Sequence, residues 1–142
     1  MICDELKLDN QLCFPLYAAA RKVTNVYTPY LKTLGLTYTQ YIVFMVLWEH
    51  GTMRVGDLCE KLYLDSGTLT PLLKKMEKNG YVSRCRSQED ERVTEVSLTQ
   101  KGIDLQQQAK NIPNQVGQCI ALDPEDGKEL YRLLYKVLDI LP

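Results

Sequence analysis

The chain has 142 residues, of which 45% are apolar and 25% charged, and its formal net charge at pH 7 is −1. This length and composition predict one globular domain of ordinary size. No apolar run is long enough to cross a bilayer, and the first residues lack the basic and apolar segments of a signal peptide. We therefore expect no contact with a membrane and a cytoplasmic location. The net charge alone disfavours a nucleic-acid-binding protein.

The cysteines show no metal-site pattern. No two have the Cys-x-x-Cys spacing, and His50 is the single histidine, so we predict no metal site and no cofactor. In a reducing cytosol the default is thiols that act as small apolar side chains. The five are Cys3, Cys13, Cys59, Cys85 and Cys119.

Apolar residues at three- and four-residue steps predict a first helix over residues 11–34. Proline is tolerated in a first helical turn, so Pro15 places Cys13 in that turn or just before the regular helix. Pro29 predicts a bend near the other end. Gly35 ends the segment.

The middle of the chain, residues 37–100, has the element order of a winged helix-turn-helix. Thr37 and Gln40 have capping-box spacing at the start of a helix. A polar turn at 87–92 joins two short strands into a hairpin. The predicted elements are a helix from Thr37 to His50, an extended stretch at 52–54, a helix over Val55–Leu62, a helix capped by Asp65 or Ser66 that reaches Asn79, and strands at 81–86 and 93–98.

Two further helices are predicted after the hairpin. Thr99 caps the first, whose apolar pattern reaches residue 120 and is broken or kinked near Pro113 and Gly117. Asp123 and Pro124 open the last. The fold class is therefore mainly α with a small β wing, in a single domain over residues 1–142. Residues 1–34 and 103–142 carry wide apolar stripes, which we expect to form a helical dimerisation region.

Local charge differs from net charge. Residues 74–86 carry five cations against the single acid Glu77. A basic patch can bind phosphate because the effective field extends only about 8–10 Å. On charge alone a solvated helix face is the simpler interpretation, and Lys78, Arg84 and Arg86 either contact a nucleic-acid backbone or only solubilise the surface.

Residues 64–102 carry a specific set of motifs, "DSGTLTPLLKKMEKNG" followed by "EDER" and "SLT". They closely resemble the MarR family of winged-helix transcription regulators. "QLCFPLYAAAR" together with "LTYTQYIVF" is similar to its organic-hydroperoxide-sensing (OhrR/SarZ-like) group. The resemblance implies a homodimer that is no enzyme, binds a palindromic operator in double-stranded DNA as a repressor, and releases DNA when organic hydroperoxide oxidises a cysteine.

The resemblance also assigns the sensor. It matches the sensing cysteine to Cys13, and the two tyrosines that hydrogen-bond its thiolate to Tyr27 and Tyr38 of the partner subunit. Pro15 departs from the group's pattern beside the sensor. Without the resemblance, the position of Cys13 on an apolar helix would favour a small core residue.

Oxidation of a thiolate first gives a sulfenic acid, which combines with a small thiol or with a second cysteine. In two-cysteine members of the group the second cysteine follows the wing, so Cys119 is the candidate resolving residue; its alternative role is an apolar interface side chain. Cys59 and Cys85 are expected to pack inside the DNA-binding region.

The DNA contacts follow from the same resemblance. Short hydroxyl side chains at the start of the recognition helix suit phosphates and base edges, two lysines suit phosphates, and in the wing an arginine enters the minor groove while an aspartate braces it. These residues are Ser66, Thr68, Thr70, Lys74, Lys75, Asp90 and Arg92.

Three alternatives remain open from the sequence. The first is a MarR-like repressor that senses a noncovalent small molecule, with Cys13 only packing. The second is a thiol peroxidase, although the chain lacks a thioredoxin-like βαβ pattern. The third is a protein-interaction module built on a winged helix, in which Arg92 has no part in DNA binding.

Overall fold

The structure, a computed structural model, describes residue 1 and residues 3–142. Contacts group the chain into two units, Met1–Ile112 and Pro113–Pro142. The helices and strands of the described residues are α1 (Cys13–Lys32), α2 (Tyr38–His50), β1 (Met53–Arg54), α3 (Val55–Leu62), α4 (Ser66–Lys78), β2 (Val82–Arg86), β3 (Thr94–Leu98), α5 (Gln100–Ala109), α6 (Ile112–Cys119) and α7 (Pro124–Ile140).

Two short 3₁₀ turns, Asp4–Leu6 and Leu8–Asn10, precede α1. Asn10 Nδ2 donates to the Asp4 carbonyl oxygen at 2.7 Å, which closes this N-terminal segment. The sequence pattern did not predict these turns. The helix expected over residues 11–34 is confirmed as α1, which begins at Cys13 and runs without interruption through Pro29.

Helix α2 forms the centre of the first unit. Its predicted capping box is present: Thr37 Oγ1 accepts from the Gln40 backbone N–H, and Gln40 Oε1 accepts from the Thr37 backbone N–H at 3.0 Å. Val43, Phe44 and Leu47 are at most 1% exposed. The core of the first unit is therefore built around this helix.

The three strands form one antiparallel sheet in the order β1–β3–β2. Met53 pairs with Val96, and Val82 pairs with Leu98, so the predicted hairpin and the extended stretch before α3 are confirmed. The cap of α4, which the sequence left between two residues, is Asp65, whose Oδ1 accepts from the Thr68 backbone N–H at 2.7 Å. The helices and the hairpin together make the predicted winged helix-turn-helix.

The end of α4 and the start of α5 are tightly attached to the core. Arg84 in β2 donates to Glu77 in α4, through its backbone N–H at 2.9 Å and its Nη2 at 3.1 Å. Gly102 in α5 accepts a hydrogen bond from Trp48 Nε1 at 2.9 Å. A Cβ atom at Gly102 would lie 2.3 Å from the Tyr81 carbonyl oxygen, so only glycine fits this approach.

The helix predicted from Thr99 to residue 120 is divided. It ends at Ala109, and α6 begins at Ile112, directly before Pro113, whose ring cannot lie inside a regular helix without cost. Gly117 lies inside α6 and does not interrupt it.

Helix α7 begins after Asp123, whose Oδ1 accepts from the Glu125 backbone N–H at 2.9 Å. All of α7 is described, and none of its residues is buried within the chain. Among the described residues, no helix has the length and apolarity needed to cross a membrane. The exposed large apolar side chains of α7 are Leu130, Tyr131, Leu133, Leu134, Tyr135, Val137, Leu138 and Ile140.

Candidate thiol site and nucleic-acid interface

Cys13 is the first residue of α1 and is exposed. Leu12 precedes it as the N-cap residue, and no side chain among the described residues caps this helix. The first N–H groups of α1 are therefore available to an anion, and the helix dipole favours negative charge at this end. The neighbouring Phe14 and Leu16 are also exposed. Cys13 is thus not a core residue of a single chain.

Three tyrosines from α1 and α2 form one cluster. The ring centroid of Tyr27 lies 5.0 Å from that of Tyr38 and 5.7 Å from that of Tyr41. Burial raises the pKa of Tyr38 and of Tyr41 above the ordinary value, and Tyr27 adds to both effects. The hydroxyls of Tyr38 and Tyr41 therefore stay protonated at neutral pH and can donate a hydrogen bond to an anion.

The structure brings the two predicted tyrosines together and adds Tyr41, which the motif resemblance does not include. Tyr41 is 3% exposed and lies one helical turn after Tyr38. The three-residue spacing on a predicted helix was a signal for this contact.

The other cysteines differ from one another in exposure. Cys119 is the exposed last residue of α6. Cys59 is half-buried, and burial, with a contribution from Asp65, raises its thiol pKa, so it is a poor nucleophile at neutral pH, as expected of a packing residue. The expected packing of Cys85 is wrong: it is exposed on β2, because side chains alternate along a strand and Val82 and Arg84 occupy the inner positions.

The predicted DNA-contact residues of α4 lie away from its core face. Ser66, Thr68, Lys74 and Lys75 are exposed, and Thr70 is half-buried. The opposite face of α4 is packed in the core through Leu69, Leu73 and Met76, which are fully buried. Helix α4 therefore presents hydroxyls in its first turns and ammonium groups further along, on the sides of the helix that face away from the core.

The wing carries the predicted arginine–aspartate pair in direct contact. Arg92 Nε donates to Asp90 Oδ1 at 3.1 Å, Arg92 Nη2 donates to Asp90 Oδ2 at 3.2 Å, and the Arg92 backbone N–H also donates to Asp90. These hydrogen bonds hold the pKa of Asp90 below its usual value, and those from the Arg92 side chain have the largest effect. The Arg92 side chain is 91% exposed. Asp90 therefore fixes a charged group that projects from the surface.

Among the described residues, no three His, Cys, Asp or Glu side chains are grouped so that they could hold a metal ion. In the part of the chain that the structure describes, no contact joins Cys13 to the tyrosine cluster within one chain, and the polar surface of α4 with the wing forms the candidate nucleic-acid interface.

Comparison with known proteins decides the family. The family described as "Transcriptional regulator SarA/Rot" matches residues 25–109, which span the whole winged helix-turn-helix. The chain belongs to the SarA/Rot family of transcriptional regulators. Its MarR-like winged-helix character, predicted from the motifs of residues 64–102, is confirmed.

Similar proteins extend the match over nearly all of this SarA/Rot-family chain. The organic hydroperoxide resistance transcriptional regulator of Bacillus subtilis is 48% identical over 138 residues, which are 97% of this chain and 94% of that protein. A structure of reduced AbfR bound to DNA is 34% identical, with a TM-score of 0.78, and covers 96% of this chain and 94% of that one. A structure of AbfR in a disulfide form is 34% identical, with a TM-score of 0.66, and covers 95% of each chain.

These likenesses confirm the predicted OhrR/SarZ-like group as well as the fold class. The likenesses do not assign roles to individual residues, so the roles of Cys13, Cys119 and the tyrosines remain predictions.

Proposed function

We propose that the protein is a homodimeric repressor that binds a palindromic operator in double-stranded DNA and releases it when an organic hydroperoxide oxidises Cys13. The observation that carries the proposal is an exposed cysteine at an uncapped helix N-terminus, flanked by exposed apolar side chains. Further support comes from the 48% identity to an organic hydroperoxide resistance regulator, and from AbfR, which has been described reduced on DNA and in a disulfide form.

Dimerisation through residues 1–34 and 103–142 is supported by the apolar side chains that one chain leaves uncovered in α1 and α7. A two-fold symmetric interface would cover the same stripe on both chains. It would place the two α4 helices about one helical turn of DNA apart, roughly 34 Å, which suits a palindrome.

The chemistry at Cys13 requires the thiolate. Hydroxyl donors from Tyr27 and Tyr38 of the partner subunit would give the thiolate charge-assisted hydrogen bonds of about 1.5–3 kcal/mol each. The thiolate attacks a peroxide oxygen, the O–O bond breaks, and the alkoxide leaves and takes a proton to become an alcohol. Cys13 is then a sulfenic acid.

Two routes follow from the sulfenic acid. A thiol can attack its sulfur, so that a disulfide forms and water leaves. The attacking thiol is that of Cys119 in a two-cysteine switch or that of a small molecule in a one-cysteine switch. The exposure of Cys119 at the end of α6 is compatible with the first route.

DNA contact is assigned to α4 and the wing. Ser66, Thr68 and Thr70 suit base edges and phosphates in the major groove, and Lys74 and Lys75 suit phosphates further along the helix. Arg92, braced by Asp90, suits a narrow A·T-rich minor groove.

Oxidation of Cys13 would remove the tyrosine contacts and shift α1 and α5, so that the two wings lose their register on DNA. A 100-fold loss of affinity needs only about 2.7 kcal/mol of difference between the reduced and oxidised states. Under this proposal the protein is no enzyme, because each subunit is oxidised once and does not turn over peroxide. It acts in the cytoplasm, because its target is the DNA of the cell.

The test compares the wild type with Cys13→Ser and Cys119→Ser on a duplex selected in vitro by the reduced protein. Cumene hydroperoxide should weaken wild-type binding about 100-fold and leave Cys13→Ser within about 2-fold. Cys119→Ser should still respond through a small thiol, but without an intersubunit disulfide on a non-reducing gel. Release of Cys13→Ser by the peroxide would refute redox sensing at this cysteine and favour a noncovalent ligand.

A further inference from the structure

A cleft of about 420 Å³ separates α4 from the wing. It is lined by the β1–α3 junction at Arg54 and Gly56, by Thr70 of α4, by Arg84 of β2 and by Arg92 at the end of the wing turn. Four segments of the winged helix-turn-helix thus converge on one concavity. Its lining contains three arginines against one acid, Asp57.

The three arginines differ in how firmly they are held. Arg84 is tied to Glu77 and Arg92 to Asp90, with oxygen–nitrogen distances of 2.9–3.2 Å. Arg54 has a weaker contact, 3.5 Å from Nη2 to Glu89 Oε2, and the Glu89 side chain is 85% exposed. An exposed ion pair of this length contributes little, so Arg54 can exchange Glu89 for another anion.

Arg84 is more buried than Arg54, with 22% of its side chain exposed against 49% for Arg54. Its Nε–H is buried and has no hydrogen-bond acceptor among the described residues. A buried donor without an acceptor is costly, and such groups are normally satisfied by water or by a ligand. The cleft therefore combines a weakly paired, half-exposed cation, Arg54, with the hydroxyl-bearing residue Thr70.

The place of the cleft matches a feature of DNA geometry. When a recognition helix occupies the major groove and a wing arginine enters the next minor groove, one sugar–phosphate strand separates the two grooves. That strand must pass between α4 and the wing, which is where the cleft lies.

We propose that this cleft binds the DNA phosphate between the two grooves, with Arg54 as the charged contact and Thr70 as a hydroxyl donor. The inference rests on the proposed DNA-binding function and deepens it. Arg54 lies in β1, outside both the recognition helix and the wing. Its contact is to phosphate, so it adds affinity for any sequence and not preference among sequences.

The experiment measures the binding of Arg54→Gln to a fluorescent 30-base-pair duplex of mixed sequence, by anisotropy, at KCl concentrations between 50 and 200 mM. The salt slope is the steepness with which the logarithm of the binding constant falls with the logarithm of the salt concentration, and it grows with the number of phosphates that the protein neutralises. The loss of one phosphate contact in each subunit should therefore reduce the magnitude of this slope by about 1.8. The affinity deficit of Arg54→Gln should then be about 12-fold larger at 50 mM than at 200 mM. Arg54→Lys, which keeps the charge, should restore most of the slope.

Two controls separate the proposal from simpler explanations. Lys110→Gln removes one exposed positive charge outside the cleft and should keep the wild-type slope. Arg54 also favours the ionised form of Asp90, so an indirect effect through Arg92 is tested in an Arg92→Ala background. There Arg54→Gln should still reduce the slope by about 1.8.

The outcomes are distinct. If the wild type does not bind the duplex at 50 mM KCl, the proposed DNA-binding function fails. If the wild type binds and Arg54→Gln behaves like Lys110→Gln, or loses its effect in the Arg92→Ala background, the phosphate site is wrong and the function stands. A lower melting temperature of Arg54→Gln together with an unchanged slope counts against the site as well.

Discussion

Residues 37–109 and helix α7 differ in whether their apolar side chains are buried within one chain. In the first region, Phe44, Leu69, Leu73 and Val96 are completely buried by the same chain. In α7, every position is described and none is buried, although the helix is strongly amphipathic in sequence. The winged helix-turn-helix therefore has a complete core within one chain, whereas α7 leaves its apolar side chains exposed, as the proposed dimer interface requires.

The difference is consistent with the proposed switch at Cys13. Cys13 lies among the exposed apolar side chains of α1, and the predicted DNA contacts lie on a rigid core. A chemical change at a subunit interface can alter the spacing of two DNA-binding regions without unfolding either of them. The following substitutions test this division of roles.

The largest expected effect is on assembly. Leu134→Asp combined with Leu138→Asp should weaken dimerisation by about 10⁴-fold or more, because the homodimer loses four leucines and each buried leucine contributes about 1.5–3 kcal/mol. Met45→Asp, at a similarly exposed position of α2, should leave the dimer intact. Sedimentation equilibrium measures both. A dimer that survives the double substitution would show that α7 is not part of the interface.

The next effect is on DNA affinity. Arg92→Ala should weaken operator binding by about 1–3 kcal/mol per subunit, or about 30-fold or more for the dimer, without changing the melting temperature, because the side chain is almost fully exposed. Asp90→Asn should cost less, since the arginine remains but loses its brace. An Arg92→Ala variant with unchanged affinity would favour a protein-interaction module.

A third test concerns packing in the two regions. Gly102→Ala should destabilise the protein by about 1–3 kcal/mol, because the new Cβ would meet the Tyr81 carbonyl oxygen. Gly127→Ala in α7 meets no described atom within 4 Å and should stabilise its helix by about 0.5–1 kcal/mol. Urea unfolding measures the change in the free energy of unfolding for each variant. Equal changes for Gly102→Ala and Gly127→Ala would contradict the difference in packing between the two regions.

The smallest effect is pH-dependent. Hydrogen bonds from Arg84, first from its side chain, lower the pKa of Glu77. A carboxyl group whose pKa is lowered in the folded protein stabilises the fold at pH values above its pKa in the unfolded chain. This stabilisation is lost as the pH falls through the pKa of the group in the folded protein. Glu77→Gln should therefore lower the melting temperature at pH 7, and the difference should shrink below about pH 4. A difference that is constant from pH 7 to pH 3 would show that the ion pair does not contribute.

Local signals predicted most of the fold. The capping box of Thr37 and Gln40 and Pro113, just after the break at residues 110–111, act within a few residues, so their effects are visible in sequence. The sequence could not decide between Asp65 and Ser66 as the N-cap of α4, because both side chains can accept a hydrogen bond from a backbone N–H in the first helical turn. The N-terminal turns depend on side chains that bond six residues back, for which no pattern exists.

The candidate sites were only partly predictable. Motif resemblance placed Arg92 and Asp90 in the wing, and the structure adds their paired geometry. The apolar pattern of α1 alone favoured a buried Cys13, because periodicity identifies a stripe but not whether the same chain covers it. Arg54 carried no signal, since its place beside the wing depends on the pairing of β1 with β3.

The central claim is that the oxidation state of Cys13 sets DNA affinity. One titration tests it: add cumene hydroperoxide in steps, and measure in each sample both the oxidised fraction of Cys13, by mass spectrometry, and the fraction of DNA released. The account predicts that DNA release rises together with Cys13 oxidation and reverses when the thiol is reduced. Full oxidation of Cys13 with DNA still bound, or release while Cys13 stays reduced, would contradict it.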